Sequence, residues 1–547
     1  MAFIVKKKIN DNEYYYLNEN KRVNGKVKTK TLAYLGKTKK EAEEKMNEFL
    51  EKMKDKEEEK ITEVKIEKSS MTIEELAQFC KSKGFVFRSN DIYGGVAGFW
   101  DFGPLGIELF NNLKNHWWKF FVHKKNNVVG MEGSIIGPEK LWKASGHVEG
   151  FKDVAVVCKK CKKSTKLDMG EFGKVSCDNC GGEYEKIGEF NMLFKTSVGA
   201  LKSEDAYLRG ETAQGMFTDF KLINQTSRMK LPFGVAQIGR CFRNEIAPRD
   251  FLFRCREFHI AELEFFINPE EKKSNLLEEE NLDLEFNFLD SKTQRKNKTD
   301  LIKTNIRGLL KDNLIEEWHA YWLSEQIRWL KDIGLEEIKI REHTKEELSH
   351  YSSGTFDIDY SFPFGSKEIT GIANRQQFDL IQHQNASKEN LEIYDEGSGK
   401  KILPKVIEPT FGLERIFLAL IINSYMKNEK GEVILKIPKK LAPFKAAIFP
   451  LVKKPEFEKL SKEIFENLSE NFNVSYDNSG SIGRRYARND EIGTPYCITV
   501  DGDSQKNKDV TIRDRDTTKQ VRVKIFELSN VLSNLIDGKI EFNSLQK

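Results

Sequence analysis

Three short stretches, far apart in the chain, each pair a carboxylate with an arginine: Leu208–Gly215 (LRGETAQG), Phe242–Glu262 (FRNEIAPRDFLFRCREFHIAE) and Glu408–Arg415 (EPTFGLER). A fold that serves all three must bring them to one site. Arginine gives a planar, bidentate grip on phosphate and keeps its charge at any ordinary pH. Carboxylates hold an ammonium. The combination suits a site that seats a polyphosphate beside an ammonium group, and it points to adenylation of a small amino acid. Arginines can stabilise an α-phosphate as charge builds during in-line attack, with no protein nucleophile or general base. One such stretch alone would read as surface ion pairs; the co-occurrence of three makes the signal specific.

The local pattern supplies a frame. The apolar run FGVAQIG leads into Arg243, Asn244 and Glu245, a charged loop follows, and EFHIAELEFF continues as a second strand. This predicts an antiparallel hairpin with an arginine near its loop. Arg415 is expected in a helix after a glycine-containing turn. With 547 residues, the chain has room for about three or four domains. Lys+Arg exceeds Asp+Glu by only 89 − 85 = +4. That is not the footprint of a small DNA-binding domain, although a large RNA-binding enzyme can place its basic residues locally. MAFIVKKKINDN has no apolar core followed by a cleavage site, and no apolar run approaches the roughly 18 residues of a membrane span. A soluble, cytoplasmic protein that engages neither membrane nor DNA is expected. Its eight cysteines then favour metal binding or free thiols over disulfides.

The sequence divides into three parts. Residues 1–70 read as an accessory module: a strand at Glu13–Leu17, a turn at Asn24-Gly25, a strand at Thr31–Leu35, then a charged helix and linker with Ala42, Met46, Leu50 and Met53 at helical spacing. Residues 71–435 form the main domain, opening on an amphipathic helix after Met71. Its segment 270–315 is very polar and reads as an exposed insertion, reaching to 340 with the helix Glu316–Ile333. Residues 351–383 read as strands and 410–427 as a buried helix. Residues 436–547 alternate strand and helix, an α/β pattern with its own core.

Cys158-x2-Cys161 and Cys177-x2-Cys180, fifteen residues apart, have the spacing of a four-thiolate zinc ribbon within 155–187. Gly181 and Gly182 supply the tight backbone of such a knuckle. Four protein ligands leave no open position, so the zinc would be structural. Cys80, Cys241, Cys255 and Cys497 have no partner spacing and read as buried thiols.

At these residues the chain resembles the class II aminoacyl-tRNA synthetases, and within them the dimeric glycyl-tRNA synthetases. The likeness runs from about Met71 to the C-terminus through DIYGGVAGFWDFGPLG, LWKASGHVEGF, FNMLFKTSVG, LRGETAQGMF, LPFGVAQIGRCFRNE, REHTKEELSHYSSGT, EITGIANR, VIEPTFGLER and GSIGRRYARNDEIGTPYC. It implies an α+β fold: a mainly antiparallel sheet with flanking helices, a zinc-ribbon insertion and a C-terminal α/β anticodon-binding domain. It also implies ATP, Mg2+ and structural Zn2+, glycine and tRNA as partners, and a homodimer with Pro138 at its interface.

By the same likeness Arg243 and Arg415 are the catalytic arginines, Arg243 on the α-phosphate and Arg415 on the terminal phosphates. Asn244, Glu245, Phe253, Phe258, Glu368, Ile369 and Gly412 join them around ATP, with Phe258 stacking on adenine. Glu211, Glu262 and Glu408 surround the glycine ammonium, with Thr410 and Lys166 nearby, and Arg375 is a further active-site arginine. The chain departs from the family at Gly210 (usually proline), Thr410 (usually serine), His259-Ile260, Gln376-Gln377 and Lys166 (often arginine). His147, His343 and His350 read as structural histidines, and Ser352-Ser353-Gly354 as a turn. Arg484, Arg485 and Arg488, with Tyr486 interleaved, are candidates for tRNA contact, beside a similar cluster at Arg513 and Arg515; a salt-bridged face is the alternative. Glycine attachment to tRNA through a glycyl-adenylate is thus expected. The alternatives are a synthetase for another small amino acid, or an inactive synthetase-like RNA-binding protein.

Overall fold

A computed structural model describes residues 2–9, 12–23, 26–42, 45–46, 67–68, 71–168, 172–173, 175–349 and 351–546. Two compact units divide it, Met1–Ile66 and Glu67–Lys547.

In the first unit the strands Ala2–Ile9, Asn12–Val23 and Lys26–Gly36 form an antiparallel meander. Side chains alternate between faces along each strand. Tyr15, Leu17 and Leu35 are buried against the helical residue Ala42, with Ile4, Ala33 and Met46 at the edge of the cluster. Tyr14, Tyr16 and Tyr34 therefore fall on the opposite face. The predicted turn at Asn24-Gly25 and the positions Leu50 and Met53 lie outside the described residues.

The second unit includes the helix Ile73–Lys83. Thr72 and Glu75 close its first turn as a capping box, and Gly84 ends it in the left-handed region. A nine-stranded sheet follows, in the order Ile302–Asn305, Glu285–Leu289, Ile338–Glu342, Thr355–Phe362, Gly365–Gln376, Lys405–Gly412, Glu257–Ile267, Phe233–Phe242, Val128–Gly130. Its pairings are antiparallel except Glu285–Leu289 with Ile338–Glu342 and Phe233–Phe242 with Val128–Gly130. This is the expected class II type of fold. One face carries Ala261, Leu263, Phe265, Ile407 and Phe411 into a large core with the helices Glu317–Asp332, Pro104–Trp118 and Leu413–Ser424. Phe121, Trp117 and Trp329 pack their rings on Phe411. Part of the other face is closed by the helix Ala213–Ser227, whose Phe217 and Phe220 meet Phe266. The rest of that face remains available for a site.

Two expectations change. The polar segment 270–315 is not shed from the core. Its LEFNFL sequence forms the strand Glu285–Leu289, which buries Phe286, Phe288 and Leu289, and Ile302–Asn305 adds an edge strand beyond it. Polar residues on the outward positions, Glu285 and Asn287, masked a half-buried alternation. Residues 351–383 are not strands throughout: the helix Phe378–Ser387 follows Gln377 and buries Asp379, Leu380 and His383.

C-terminal to this, Val474–Tyr476, Ala446–Pro450 and Tyr496–Val500 lie parallel, and Asp509–Asp514 and Gln520–Lys524 continue antiparallel. The helices Pro455–Ser469 and Leu528–Ile536 cover one face, giving this sheet a core of its own.

Candidate active site

Register decides which side chains share the free face of the large sheet. Phe233–Phe242 pairs antiparallel with Glu257–Ile267, as the expected hairpin, placing Gln237 opposite Glu262 and Cys241 opposite Phe258. The next strand sets Gly412 opposite Ile260 and Thr410 opposite Glu262. On its far side Thr410 meets Gly371 and Glu408 meets Ala373. With a period of two, Phe258, Ile260, Glu262 and Glu264 therefore line up beside Glu408, Thr410 and Gly412. The motif residues converge because every second residue on these strands faces the same way.

A cavity of about 400 Å³ opens over this face. That falls within the usual range for a small-molecule site. Arg243, Glu245, Phe253, Phe258, Glu368, Thr410, Gly412 and Arg415 all line it. The Arg243 guanidinium lies 5.4 Å from the ring centres of both Phe151 and Phe258, and its Nε donates to the Gly210 carbonyl at 3.1 Å. Across the cavity, Arg415 stacks 4.5 Å from the Phe253 ring centre and donates to the Glu368 carboxylate at 3.0 Å. Each guanidinium thus has an aromatic ring within cation–π range, leaving its remaining N–H groups for a bidentate anion. Glu245 accepts from Arg254 at 2.7 Å. Asn244 contributes its backbone, donating to Met192 O at 2.8 Å. Ile369 is fully buried and does not line the cavity.

The acids form a separate, buried group. Glu211 accepts from Gln214 at 2.8 Å and faces His147 Nε2 at 3.2 Å. Glu262 accepts from the Thr212 amide at 2.7 Å and from the Thr212 hydroxyl, at the start of the helix Ala213–Ser227. An anion is favoured there by the exposed amides of the first turn. Both oxygens of Glu408 accept from the single Nη1 of Arg375, at 3.0 and 2.9 Å, while Arg375 forks onto Asp379 through Nε and Nη2 at 2.7 and 2.8 Å. The expected cluster of three carboxylates is therefore not bare; each acid already has a protein partner. Glu211 also lines a second cavity, of about 220 Å³, shared with Pro138, Trp142, Arg209 and Thr212.

Burial pushes Glu211 upward, but His147 and Arg375 outweigh it and hold the carboxyl well below its usual range. Burial raises Glu262, with the nearby Glu211 charge adding to the effect. Burial also drives Glu408 up to about 8 against the pull of Arg375.

Several contributors had no clear sequence signal. Glu264 is fully buried, with neither oxygen bonded to any described residue, and burial raises it far above a normal carboxylate. Asp379 clamps Arg375, and Glu414 lines the cavity while accepting from the His259 amide and facing its Nδ1, both at 2.8 Å. The unusual His259 is thus matched to Glu414, a pair that EFHIAE and GLER would have allowed only once their strands were aligned. Phe151 and Met192 also reach the cavity. Gln377 donates to Leu403 O at 2.6 Å and Gln376 to Ser353 Oγ at 2.9 Å, so both departures make local bonds. At Gly210, an added Cβ would lie 2.9 Å from Leu193, so the residue sits in a tight spot.

Phe151 and Met192 connect this wall to the cysteine module. The strand Lys152–Cys158 follows Phe151, the strand Tyr184–Asn191 precedes Met192, and Met192 N donates to Phe151 O at 3.0 Å. At the far end Cys158, Cys161, Cys177 and Cys180 place their sulfurs within 4.8 Å of one another. Four thiolates at such separations fit a tetrahedral zinc. Lys162 and Gly181 adopt positive φ after each CxxC, and a Cβ on Gly182 would lie 2.9 Å from Cys158 Sγ. Those knuckles are shaped around the sulfurs. Lys166 falls on the strand Ser164–Asp168, but its side chain lies outside the described residues. Cys80, Cys241, Cys255 and Cys497 are buried. His350 is outside the described residues; His343 bonds Asp357 at 2.8 Å.

In the C-terminal part, Arg484 and Arg488 are exposed, though Arg488 pairs with Asp477. Arg485 departs from the expectation of tRNA contact. It is buried and donates to the carbonyls of Pro450, Asp477 and Leu451, so its charge serves the fold. Arg513 forks onto Asp490 at 2.8 and 2.9 Å, and Arg515 donates to Leu435 and Gly493 carbonyls. Among the described residues, no helix is long and apolar enough to cross a membrane.

Comparison with known proteins follows the same division. A family model described as an anticodon binding domain matches residues 445–535, and one described as an IS1634 family transposase N-terminal domain matches residues 4–65. A glycine–tRNA ligase of Mesoplasma florum is 39% identical over 492 residues, covering 84% of this chain and 99% of its own length. One from Clostridium beijerinckii is 41% identical over 507 residues (86% and 99%), and one from Geobacillus thermodenitrificans 40% over 506 residues (86% and 98%).

Proposed function

The chain belongs to the glycine–tRNA ligase family, and from that premise we propose how its own residues carry the work. It attaches glycine to tRNA. Glycine and ATP form glycyl-adenylate and pyrophosphate, and the glycyl group then passes to the terminal ribose of the tRNA. The single observation that supports this site assignment is the pair of ring-backed arginines, Arg243 and Arg415, facing one cavity beside a buried carboxylate group.

Arg243 holds the α-phosphate and steadies the charge that builds there during attack. Arg415 holds the terminal phosphates, adenine lies on Phe258, and Glu245 and Glu368 flank the nucleotide. Mg2+ neutralises the phosphates when bound, and Glu368 is the nearest candidate to hold it. Glu211, Glu262 and Glu408 attract the glycine ammonium, with Thr410 at the junction between the acids and the cavity. A methyl added to glycine would meet a packed sheet face, an exclusion that hydrophobic contact alone could not achieve, since one methylene is worth only about 1–3 kcal/mol. The cysteine ribbon holds structural zinc, residues 436–547 bind the anticodon arm through exposed residues including Arg484 and Arg488, and the enzyme works as a cytoplasmic homodimer with Pro138 near the interface. Amino-acid-dependent exchange of pyrophosphate into ATP, run across the twenty amino acids, tests the reading: a glycine-only signal supports it, and a signal for another amino acid, or silence, overturns it.

A further inference from the structure

The N-terminal sheet has two unlike faces. One is sealed by Tyr15, Leu17, Leu35 and Ala42. The other gathers Tyr14, Tyr16 and Tyr34 from adjacent strands, since Tyr16 pairs directly with Tyr34. The Tyr34 ring centre lies 5.4 Å from Tyr16 and 6.3 Å from Tyr14, at tilts of 55° and 46°. Tilted rings do not cover one another, and Tyr34 is 48% exposed. Lysines rim the same face. Lys7 Nζ stands 5.2 Å from the Tyr16 ring centre and Lys37 Nζ 5.8 Å from Tyr14, both on exposed side chains. Lys6 and Lys8, on either side of Lys7, alternate to the opposite face, where Lys6 pairs with Glu13, while Lys39 and Lys40 follow Lys37 and are exposed.

A protein–protein contact would favour an apolar centre with few lysines. Three rings edged by ammonium groups instead match a ligand with flat π-faces strung on a regular line of negative charge. Unpaired RNA has both: its bases stack on aromatic side chains, and its phosphates pair with lysine. We propose that this tyrosine–lysine face is a second RNA-binding surface, and that its occupant is an unpaired segment of the tRNA the enzyme charges. The choice of tRNA rests on the function proposed above; the RNA chemistry of the face does not.

The test uses the full chain and three proteins: wild type, Tyr34→Ala, and Lys7→Glu with Lys37→Glu. Binding of a glycine-accepting tRNA transcript is followed by fluorescence anisotropy between 50 and 200 mM salt, beside pyrophosphate exchange, which needs no tRNA. Tyr34→Ala should weaken tRNA binding about tenfold, the scale of one base stacked on an aromatic ring. The lysine variant should also flatten the salt dependence by roughly 0.7 for each phosphate left without its lysine. Exchange should stay at the wild-type level in both. Unchanged affinity and slope overturn the proposal, as does tighter binding of duplex DNA than of tRNA through this face, or a change of oligomeric state with tRNA affinity intact. If Tyr34→Ala fails to fold, the lysine variant, altered only at exposed ends, still decides. Loss of exchange in the wild type would strike the proposed function instead, and leaves the binding comparison readable.

Discussion

Replacing Glu211 by glutamine isolates the charge that the proposed site needs. The substitution keeps the shape. Glutamine Oε1 can still accept from Gln214, which lies 2.8 Å from Glu211, and its amide can face His147 at the position now 3.2 Å away. What disappears is one negative charge in a buried setting, with Arg375 4.0 Å away. A hydrogen bond to a charged group is worth roughly 1.5–3 kcal/mol. At 1.4 kcal/mol per tenfold, the KM for glycine should rise about 10- to 150-fold. The KM for ATP should stay within about twofold, because the arginine–ring stacks at Arg243 and Arg415 do not involve the Glu211 carboxylate. Glycine-dependent pyrophosphate exchange, titrated separately in glycine and ATP and accompanied by a thermal melt, measures all three quantities. Equal losses for both substrates at an unchanged melting temperature would refute the assignment of Glu211 to the ammonium.

Protons, metal and the C-terminal part each offer a further test. Burial holds Glu262 and Glu408 above their ordinary values, Glu408 at about 8, so below that pH the free site carries a proton that an ammonium must expel. Glycine binding should therefore release protons below about pH 8 and cease to do so above it, with affinity falling as pH falls; calorimetry in buffers of different ionisation enthalpy reads the count, and zero release at pH 7 contradicts the scheme. Purified protein should hold one zinc per chain, and its removal should raise the KM for ATP, because Phe151 and Met192 hang on the two strands that end at the cysteines; metal analysis with exchange kinetics checks it, and an unchanged KM separates ribbon from site. Arg485→Ala should destabilise the C-terminal part by about 1–3 kcal/mol by leaving buried carbonyls unsatisfied, whereas Arg484→Ala should leave the melt unchanged and weaken tRNA binding.

The hairpin, the CxxC knuckles and the three charged stretches were legible because each is local. Strand period fixes which residues of EFHIAELEFF share a face, and fifteen residues between CxxC pairs fixes a ribbon. What lay beyond reach was the pairing between distant strands. Glu264 reads in sequence as another charged position in a strand; only alignment with Lys405–Gly412 reveals a buried carboxyl near Glu408. Asp379 was hidden in a stretch read as strand, though at i+4 from Arg375 it closes a fork. Arg485 looked like its neighbours in GRRYARND, yet the helix Ile482–Glu491 turns it inward while Arg484 and Arg488 face out. Charge in a sequence says that a partner is required, not whether that partner is a substrate or a carbonyl of the same fold.

The acids around Arg375 raise a question of balance that bears directly on specificity. Glu211, Glu264, Glu408 and Asp379 all act on this guanidinium, while Glu262 couples to Glu211 and Glu408; His147 faces Glu211. Arg375, with Arg243 acting on Glu262 and His147 on Glu211, does not offer enough positive charge for five carboxyls to ionise together in a medium that solvates charge poorly. Glu264, with no hydrogen-bond partner among the described residues, is the one best suited to remain neutral. Glu408, at about 8, is held near the margin, and burial with the Glu211 charge raises Glu262 as well. On the proposed reading, the missing positive charge is the substrate's ammonium. Its arrival allows a second carboxylate to ionise, and the gain depends on how closely the ammonium approaches the strands. A side chain on the amino acid would hold it away from Thr410 and the neighbouring strand positions, weakening the coulombic gain together with the fit. Selection for the smallest zwitterion then follows from electrostatics as much as from space. It also follows that Thr410→Val, which removes a hydroxyl at nearly constant volume, should cost glycine binding far less than Glu408→Gln, which removes the charge at constant shape.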